Sequence, residues 1–516
     1  MQQSQSKQQV GGILGFIERI GNKIPDITIL FISAFLLVCV VSAVLAQIHF
    51  NYVHPATGRP IEITNILSGK ALVDLMSKMV TNYANFPPLS MVIVATLGIG
   101  IADGSGYINT GLKKILSITP KVLITPVVIL VGMLSHLGPD SGYVIIIPIA
   151  AYMFYAVGKH PLAGIAASFA GIAGAFAANY TPSAIDPVIQ GFTQSAAQII
   201  DPGYQVNVLC NYFYAFASTF IVIGACWWVT EKITNPWLWK ACPLDDDLDL
   251  GNENNSSITP SENRAFKIAT AVLLLMLTGL AAALYPADSI LRAPDGVIAS
   301  FKAPIMQSIV SLIFIFAALV GLVYGIACGK FKSPKDVTAA MEEITKTLVQ
   351  LIVFYFFAAQ FLYAFGASNM GALIAVSGAE FLKSLNLPPQ VTVFGIIVFV
   401  ALLNLIITSA SAKWAILAPI FVPMLMAVGI APELTQVAFR VSDSAVNVVT
   451  PMFAFYPLII LYCQKYVKNA GIGTLSSMML PYTIALLVSL TFMLYLFWWL
   501  DIPLGFQADY VYPRRF

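Results

Sequence analysis

Long apolar runs, most about 20 residues, follow one another along this chain, separated by short polar or Gly/Pro-rich interruptions. A run of that length crosses the roughly 30 Å hydrocarbon layer as a helix. In lipid only helices or closed barrels satisfy every backbone polar group. Runs over 27–48, 89–102, 206–229, 266–285, 306–327, 347–366 and 483–500 read as uninterrupted spans. Two more, 161–200 and 433–462, break at NYTPSAIDP and VVTP and read as broken spans. Another two, 122–157 and 390–429, turn back at SHLGPDSGY and SASAKW. In the first of these, Gly138, Pro139 and Gly142 cannot continue a helix, and each arm is too short to cross. The pattern predicts an all-α polytopic membrane protein with about nine transmembrane helices and two re-entrant hairpins.

Basic residues set the expected orientation. Arg19 and Lys23, then Lys113, Lys114, Lys121 and Lys159, later Lys330, Lys332 and Lys335, and finally Lys465 and Lys468 mark the cytoplasmic side by the positive-inside rule. The expected organisation is a cytoplasmic N-terminal segment (1–26), a first half (27–229) with its hairpin on the cytoplasmic side, and a solvated cytoplasmic loop (230–264). A second half (265–500) with its hairpin opening to the other face follows, then an external C-terminal tail (501–516). The stretch before Pro87 reads as a mixed loop. No small-residue cleavage pattern precedes the first run, so a cleaved signal peptide is not expected.

Composition agrees: 58% of the residues are hydrophobic and 10% charged. The net charge of +2 gives no reason to expect nucleic acid. Six scattered cysteines show no paired spacing, and neither a disulfide nor a metal site is expected. No His pair, GxSxG or Cys–His cluster points to an intramembrane enzyme. No cofactor is expected beyond a coupling ion, Na⁺ or H⁺.

The two hairpins align on Pro148 and Pro419 without a gap. Tyr143 answers Trp414, Asp140 answers Ser411, Ala156-Val157-Gly158 answers Ala427-Val428-Gly429, and Pro161 answers Pro432. Further on, Asn179 and Pro182 answer Asn447 and Pro451 with a small slip; upstream, Ala102 and Gly106 answer Ala367 and Gly371 more weakly. Counting spans, the two copies run in opposite directions. Inverted repeats with interrupted helices at matching places point to a secondary transporter with its site near the bilayer midplane.

At these same segments the chain resembles the p-aminobenzoyl-glutamate transporter (AbgT) family. The resemblance is carried by ERIGNKIPDITILF, SGYVIIIPIA, GKHPLAG, FFAAQF, SASAKWAILAPIFVPM and FRVSDSAVNVVTPM, and it spans almost the whole chain. It implies a homodimer in the bacterial inner membrane that moves p-aminobenzoyl-glutamate, or in some members exports sulfonamide antimetabolites, on a proton or sodium gradient. By motif match it implies functional roles for Asp186, Ser411, Trp414, Pro432, Arg440 and Asp443. The sequence departs from the family pattern at the first hairpin tip, Ser135 to Asp140, and at Lys413, where an uncharged residue is expected. A carrier of dicarboxylates or other small organic anions with the same hairpins is the alternative.

Each candidate has a plain and a functional reading. Arg440 and Asp443 share a helix face. They form a local ion pair that makes the helix tolerable in lipid, or Arg440 holds a substrate carboxylate while Asp443 takes the ion or proton. Asp186 caps the half-helix after the break or relays protons. Lys413, at the second tip, snorkels to water, replaces a bound Na⁺ with a tethered ammonium, or contacts the substrate. Trp414 packs the hairpin or stacks on an aminobenzoyl ring. His136 and Asp140 form the first tip or couple protons. Asn179, Asn447, Thr181 and Thr450 satisfy loose backbone or bind substrate or Na⁺, the latter near Asn447 and Asp443. Pro182, Pro432 and Pro451 shape the site.

Overall fold

The computed structural model describes residues 25–54, 58–137, 141–183, 185–245 and 258–513. Arg19, Lys23, Gly138, Pro139, Asp140 and the acidic run at 246–250 lie outside them. Among the described residues the protein is helical throughout, with two isolated β-bridges.

The first half comprises α1 (Ile27–Leu45), α2 (Gly69–Ala84), α3 (Pro87–Ser105), α4 (Tyr107–Ser117), the hairpin arms α5 (Ile124–Leu134) and α6 (Ser141–Ala156), α7 (Pro161–Phe169), α8 (Ile185–Ala197), α9 (Tyr212–Val229) and α10 (Asn235–Ala241). The second half comprises α11 (Pro260–Leu284), α12 (Ile309–Cys328), α13 (Pro334–Thr347), α14 (Val349–Ala367) and α15 (Met370–Ser384). Its hairpin arms are α16 (Pro389–Asn404) and α17 (Ala410–Met426), followed by α18 (Pro432–Val446), α19 (Tyr456–Gln464) and α20 (Ile472–Trp499). Among the described residues, seven continuous helical segments are long and apolar enough to cross a membrane. The two interrupted runs are α7–α8 and α18–α19, and four crossings (α7–α8, α9, α11 and α12) lie between α3 and α14, so the two copies run in opposite directions.

The halves are interleaved. Span α3 packs on α12 and α13 from the other half, while α14 packs on α1 and α2. Without a hydrophobic drive between helices in lipid, close backbone approach carries such contacts. Gly321 supplies one: a Cβ there would meet the backbone of Ala102 at 2.6 Å. The kinks that follow α3 and α14 also correspond, through left-handed residues: Gly106 (φ 94°) and Asn369 (φ 61°). The pairing of Gly106 with Gly371 expected from sequence is therefore shifted by two positions, because the geometry selects a residue that tolerates positive φ.

Several boundaries differ from expectation. The mixed loop before Pro87 holds the amphipathic α2, whose alternating polarity hides it from a hydropathy reading. Helix α9 does not stop at Val229; it passes through a π turn, Thr230–Thr234, into α10. Two of the polar residues in that turn are satisfied by neighbours: Thr230 bonds the Tyr482 hydroxyl at 2.6 Å, and Glu231 pairs with Lys159. A Thr259–Glu262 capping box starts α11 at Pro260, earlier than its apolar run. Helix α20 begins at Ile472, ahead of the expected 483, and continues through Pro481. The second hairpin turns at 405–409, ending at the first residue of SASAKW, because the Ser409 hydroxyl caps α17 at Ala412 N–H and the rest of the motif is helical. Nor is the tail free. Its described part folds back, with Tyr510 C=O accepting from Ala431 N–H and Tyr512 N–H donating to Gly429 C=O.

Candidate transport site

Every residue of α18 is buried. Proline at its first position and Glu433 in its first turn suit a helix N-terminus, and the following sequence places Gln436, Arg440, Ser442, Asp443 and Ser444 at membrane depth. Ionisable groups there face partners or cavities. The sequence allows a local Arg440–Asp443 pair; the structure separates them. Arg440 Nη1 donates to Asp186 Oδ1 at 2.7 Å, and Asp443 Oδ1 lies 2.7 Å from Lys413 Nζ. Helix α18 is thus clamped to α8 of the first half and to α17 of its own hairpin.

On the first side, Asp186 caps its helix, one of the two readings its position allows, and it also holds Arg440, a pairing the sequence reading did not include. Its Oδ2 accepts from Ser183 N–H (2.7 Å) and Oγ–H (3.1 Å) and caps α8, while Oδ1 holds Arg440. Asn179, Thr181, Asn211 and Tyr212 complete a narrow polar cleft with this pair. Asn179 Oδ1 accepts from Thr181 N–H and Oγ–H, folding the break on itself. At the first tip, His136 Nε2 lies 2.6 Å from Ile172 C=O, so that nitrogen carries the hydrogen, and Nδ1 faces the Asn179 amide at 3.5 Å.

On the other side, Lys413 is fully buried and does not reach water. Its ammonium is held by Asp443, by Asn404 Oδ1 and by the face of Phe439. The lysine lies inside the first turn of α17, one turn past the tip, so snorkelling is closed to it. Asn404 Nδ2 donates to Asp443 C=O (2.7 Å) and Asn447 Oδ1 (3.2 Å), and the Thr450 hydroxyl donates to Leu405 C=O (2.7 Å). The second break is thereby stitched to the second hairpin. Ser411 is buried, 3.4 Å from Ser409 Oγ.

Trp414 does not line the cleft. It is fully buried, stacks on Phe439 at 4.4 Å and donates through Nε1 to Thr193 Oγ1 at 2.9 Å. The Thr193 hydroxyl donates to Gln436, whose amide donates to Asn211 beside the cleft. The aromatic ring at the cleft is that of Tyr212. Pro432 starts α18, and Pro182 and Pro451 stand in the two breaks. Sequence reasoning missed Asn404, Thr193, Gln436, Asn211 and Tyr212. The signal for Asn404 was present: an amide inside the apolar arm FVALLNLII.

The repeat extends into the hydrogen bonds. Counting from Pro161 and Pro432, Ile172 and Asp443 occupy the same position, and the carbonyl oxygen of each accepts from a side chain of its own hairpin, His136 and Asn404 respectively.

Three comparisons bear on this geometry. The family model described as "AbgT putative transporter family" matches residues 12–512. The p-aminobenzoyl-glutamate transport protein of Escherichia coli (strain K12) is 32% identical over 511 residues, covering 99% of this chain and 98% of that protein. The structure is similar to that of the Alcanivorax borkumensis YdaH transporter, with TM-score 0.88, 37% identity, and 93% of this chain and 100% of that one covered. It is also similar to Neisseria gonorrhoeae MtrF, described as illuminating a class of antimetabolite efflux pumps, with TM-score 0.90, 39% identity, and 96% and 100% covered.

Proposed function

This chain belongs to the AbgT transporter family, whose members are transporters and not enzymes, and from that premise we propose that it is a proton-coupled secondary transporter of p-aminobenzoyl-glutamate or related aminobenzoyl antimetabolites. The observation that carries the reading is the Arg440–Asp186 pair joining the two halves at a polar cleft. A guanidinium is the natural partner of a glutamyl carboxylate, which it binds through two parallel bonds. A substrate carboxylate arriving there takes Arg440 from Asp186, and the Tyr212 ring offers a wall for the aminobenzoyl group.

Coupling is assigned to the proton because the oxygens that would serve Na⁺ near Asn447 and Asp443 are engaged by Lys413 and Asn404. A proton taken up by Asp443 removes the charge that holds Lys413 and loosens α17 from α18. In this reading the hairpins and broken spans move against the remaining spans of a homodimer in the inner membrane, with the N-terminus cytoplasmic and the C-terminus outside. Helix α11, which buries only Ala265 and Ala269, leaves a broad apolar face for lipid or a second copy.

Proteoliposome transport of labelled p-aminobenzoyl-glutamate and a sulfonamide, with Na⁺ and pH gradients imposed separately, tests this. The expected result is transport that follows the pH gradient, persists when choline replaces Na⁺, and disappears in Arg440→Ala. Loss of transport in choline would reassign the coupling ion to Na⁺. Competition by simple dicarboxylates but not by p-aminobenzoyl-glutamate would reassign the substrate.

A further inference from the structure

Away from the transport site, two surface hollows share one side chain. The first lies where the base of the first hairpin meets the π turn after α9. It holds Lys121, Lys159, Glu231 and Lys232, with Trp227 and Trp228 as its wall. The second is an apolar groove between α9 and α20, running from Trp228 past Leu480, Ile484 and Val488 to Phe492. Trp228 lines both, so a basic pocket borders an apolar groove that runs along two spans.

The charges in the pocket do not cancel. Glu231 is engaged by Lys159 and by the Thr125 hydroxyl. Lys121 and Lys232 are exposed and form no ion pair among the described residues. The pocket therefore presents two uncompensated ammonium groups beside two indoles, at the place where hydrocarbon gives way to water. Tryptophans and lysines favour that boundary. The π turn contributes by widening the helix, which sets both Glu231 and Lys232 at the pocket while Thr230 stays inside against Tyr482. Below, the groove side chains stand open: Ile484 is 57% exposed, Val488 62% and Phe492 55%.

We propose that this joined pocket and groove bind one anionic membrane phospholipid, its phosphate between Lys121 and Lys232 and an acyl chain laid between α9 and α20. A zwitterionic lipid fits the groove but gains less from the lysines, because its own amine competes for the phosphate. The lipid would bridge the base of the first hairpin to α9 and α20, and so bears on how that hairpin is held. The proposal rests on the membrane character of the chain and not on the transported substrate.

The test uses the full-length purified protein in detergent, titrated with phosphatidylglycerol, cardiolipin, phosphatidylethanolamine and phosphatidylcholine and read by native mass spectrometry. Two variants separate the parts. Lys121→Gln with Lys232→Gln removes the charge. Gly224→Trp fills the pocket at a position where an added Cβ would meet nothing within 4 Å, so the core is not disturbed. Anionic lipids should be retained roughly tenfold better than zwitterionic ones, a preference the double Gln variant abolishes. Gly224→Trp should lose retention of all four at this site. Equal retention of anionic and zwitterionic lipids, or unchanged retention in either variant, would overturn the proposal. A dimer converted to monomer by Gly224→Trp with lipid retention unchanged would assign the groove to a second copy and overturn it too.

Discussion

The two repeats place different chemistry at the same point. In the second, Lys413 and Asp443 make an ion pair with side chains 0% and 2% exposed. The matching positions in the first repeat, by the proline register, are Gly142 and Ile172, and they are adjacent there as well: a Cβ on Gly142 would lie 3.5 Å from Ile172 Cδ1. The fold therefore makes this hairpin-to-helix contact without charge. A dry ion pair gives little net stability over a well-packed apolar contact, yet removing one partner is strongly destabilising. The architecture has no need of the pair, which favours a role in coupling. The Arg440–Asp186 pair on the same helix differs again. Its side chains keep 8% and 13% exposure and border the cleft.

The sharpest way to break this comparison is Lys413→Ala. It leaves Asp443 buried with no counter-charge, and about 3–5 kcal/mol of stability should be lost, read as a large fall in the thermal unfolding temperature in detergent. The double change Lys413→Met with Asp443→Leu imitates the apolar first repeat. It should recover most of that stability while proton-driven transport stays absent. An unchanged unfolding temperature in the single variant would remove the distinction between the two repeats.

A smaller effect is expected on the other side of α18. Arg440→Ala should cost roughly 1.5–3 kcal/mol, the range of a hydrogen bond to a charged group, but abolish transport. Asp186→Asn keeps a side-chain oxygen for Ser183 and so keeps the cap. Transport lost at near-normal stability would separate its charge from its capping role; transport retained would leave the residue purely structural.

The least change should follow Trp414→Phe. The ring stack on Phe439 survives and one hydrogen bond to Thr193 goes, about 1 kcal/mol. Transport should fall no more than about twofold, since the indole does not face the cleft. A collapse of substrate affinity in proteoliposomes would mean that this tryptophan reaches the substrate in another conformation of the cycle.

Much of the candidate site was visible before the fold. Costly ionisable residues in greasy sequence picked out Asp186, Lys413, Arg440 and Asp443, and the proline spacing paired the hairpins. What failed was partner choice. Helical spacing joined Arg440 to Asp443, whereas each found its counter-charge on another element at far greater sequence separation. Polar residues were also read too readily as exposed: Thr230 and Glu231 lie within a continuing helix because Tyr482, Lys159 and Thr125 satisfy them. Trp414 was readable as a stacking platform, but whether its face is open depends on Phe439, a neighbour that only folding brings near.

Sequence alone determined that this chain lives in a membrane, that its spans break twice at matching places, and which few residues carry charge into the lipid. Each of those follows from local cost: apolar length, proline and glycine where helices must stop, and ionisable groups that lipid tolerates only with reason. The tertiary structure decided which charges meet, which pair stays dry and which borders a cleft. Those outcomes depend on distances between segments 30 residues apart for Lys413 and Asp443 and 254 apart for Asp186 and Arg440, and no local periodicity encodes them.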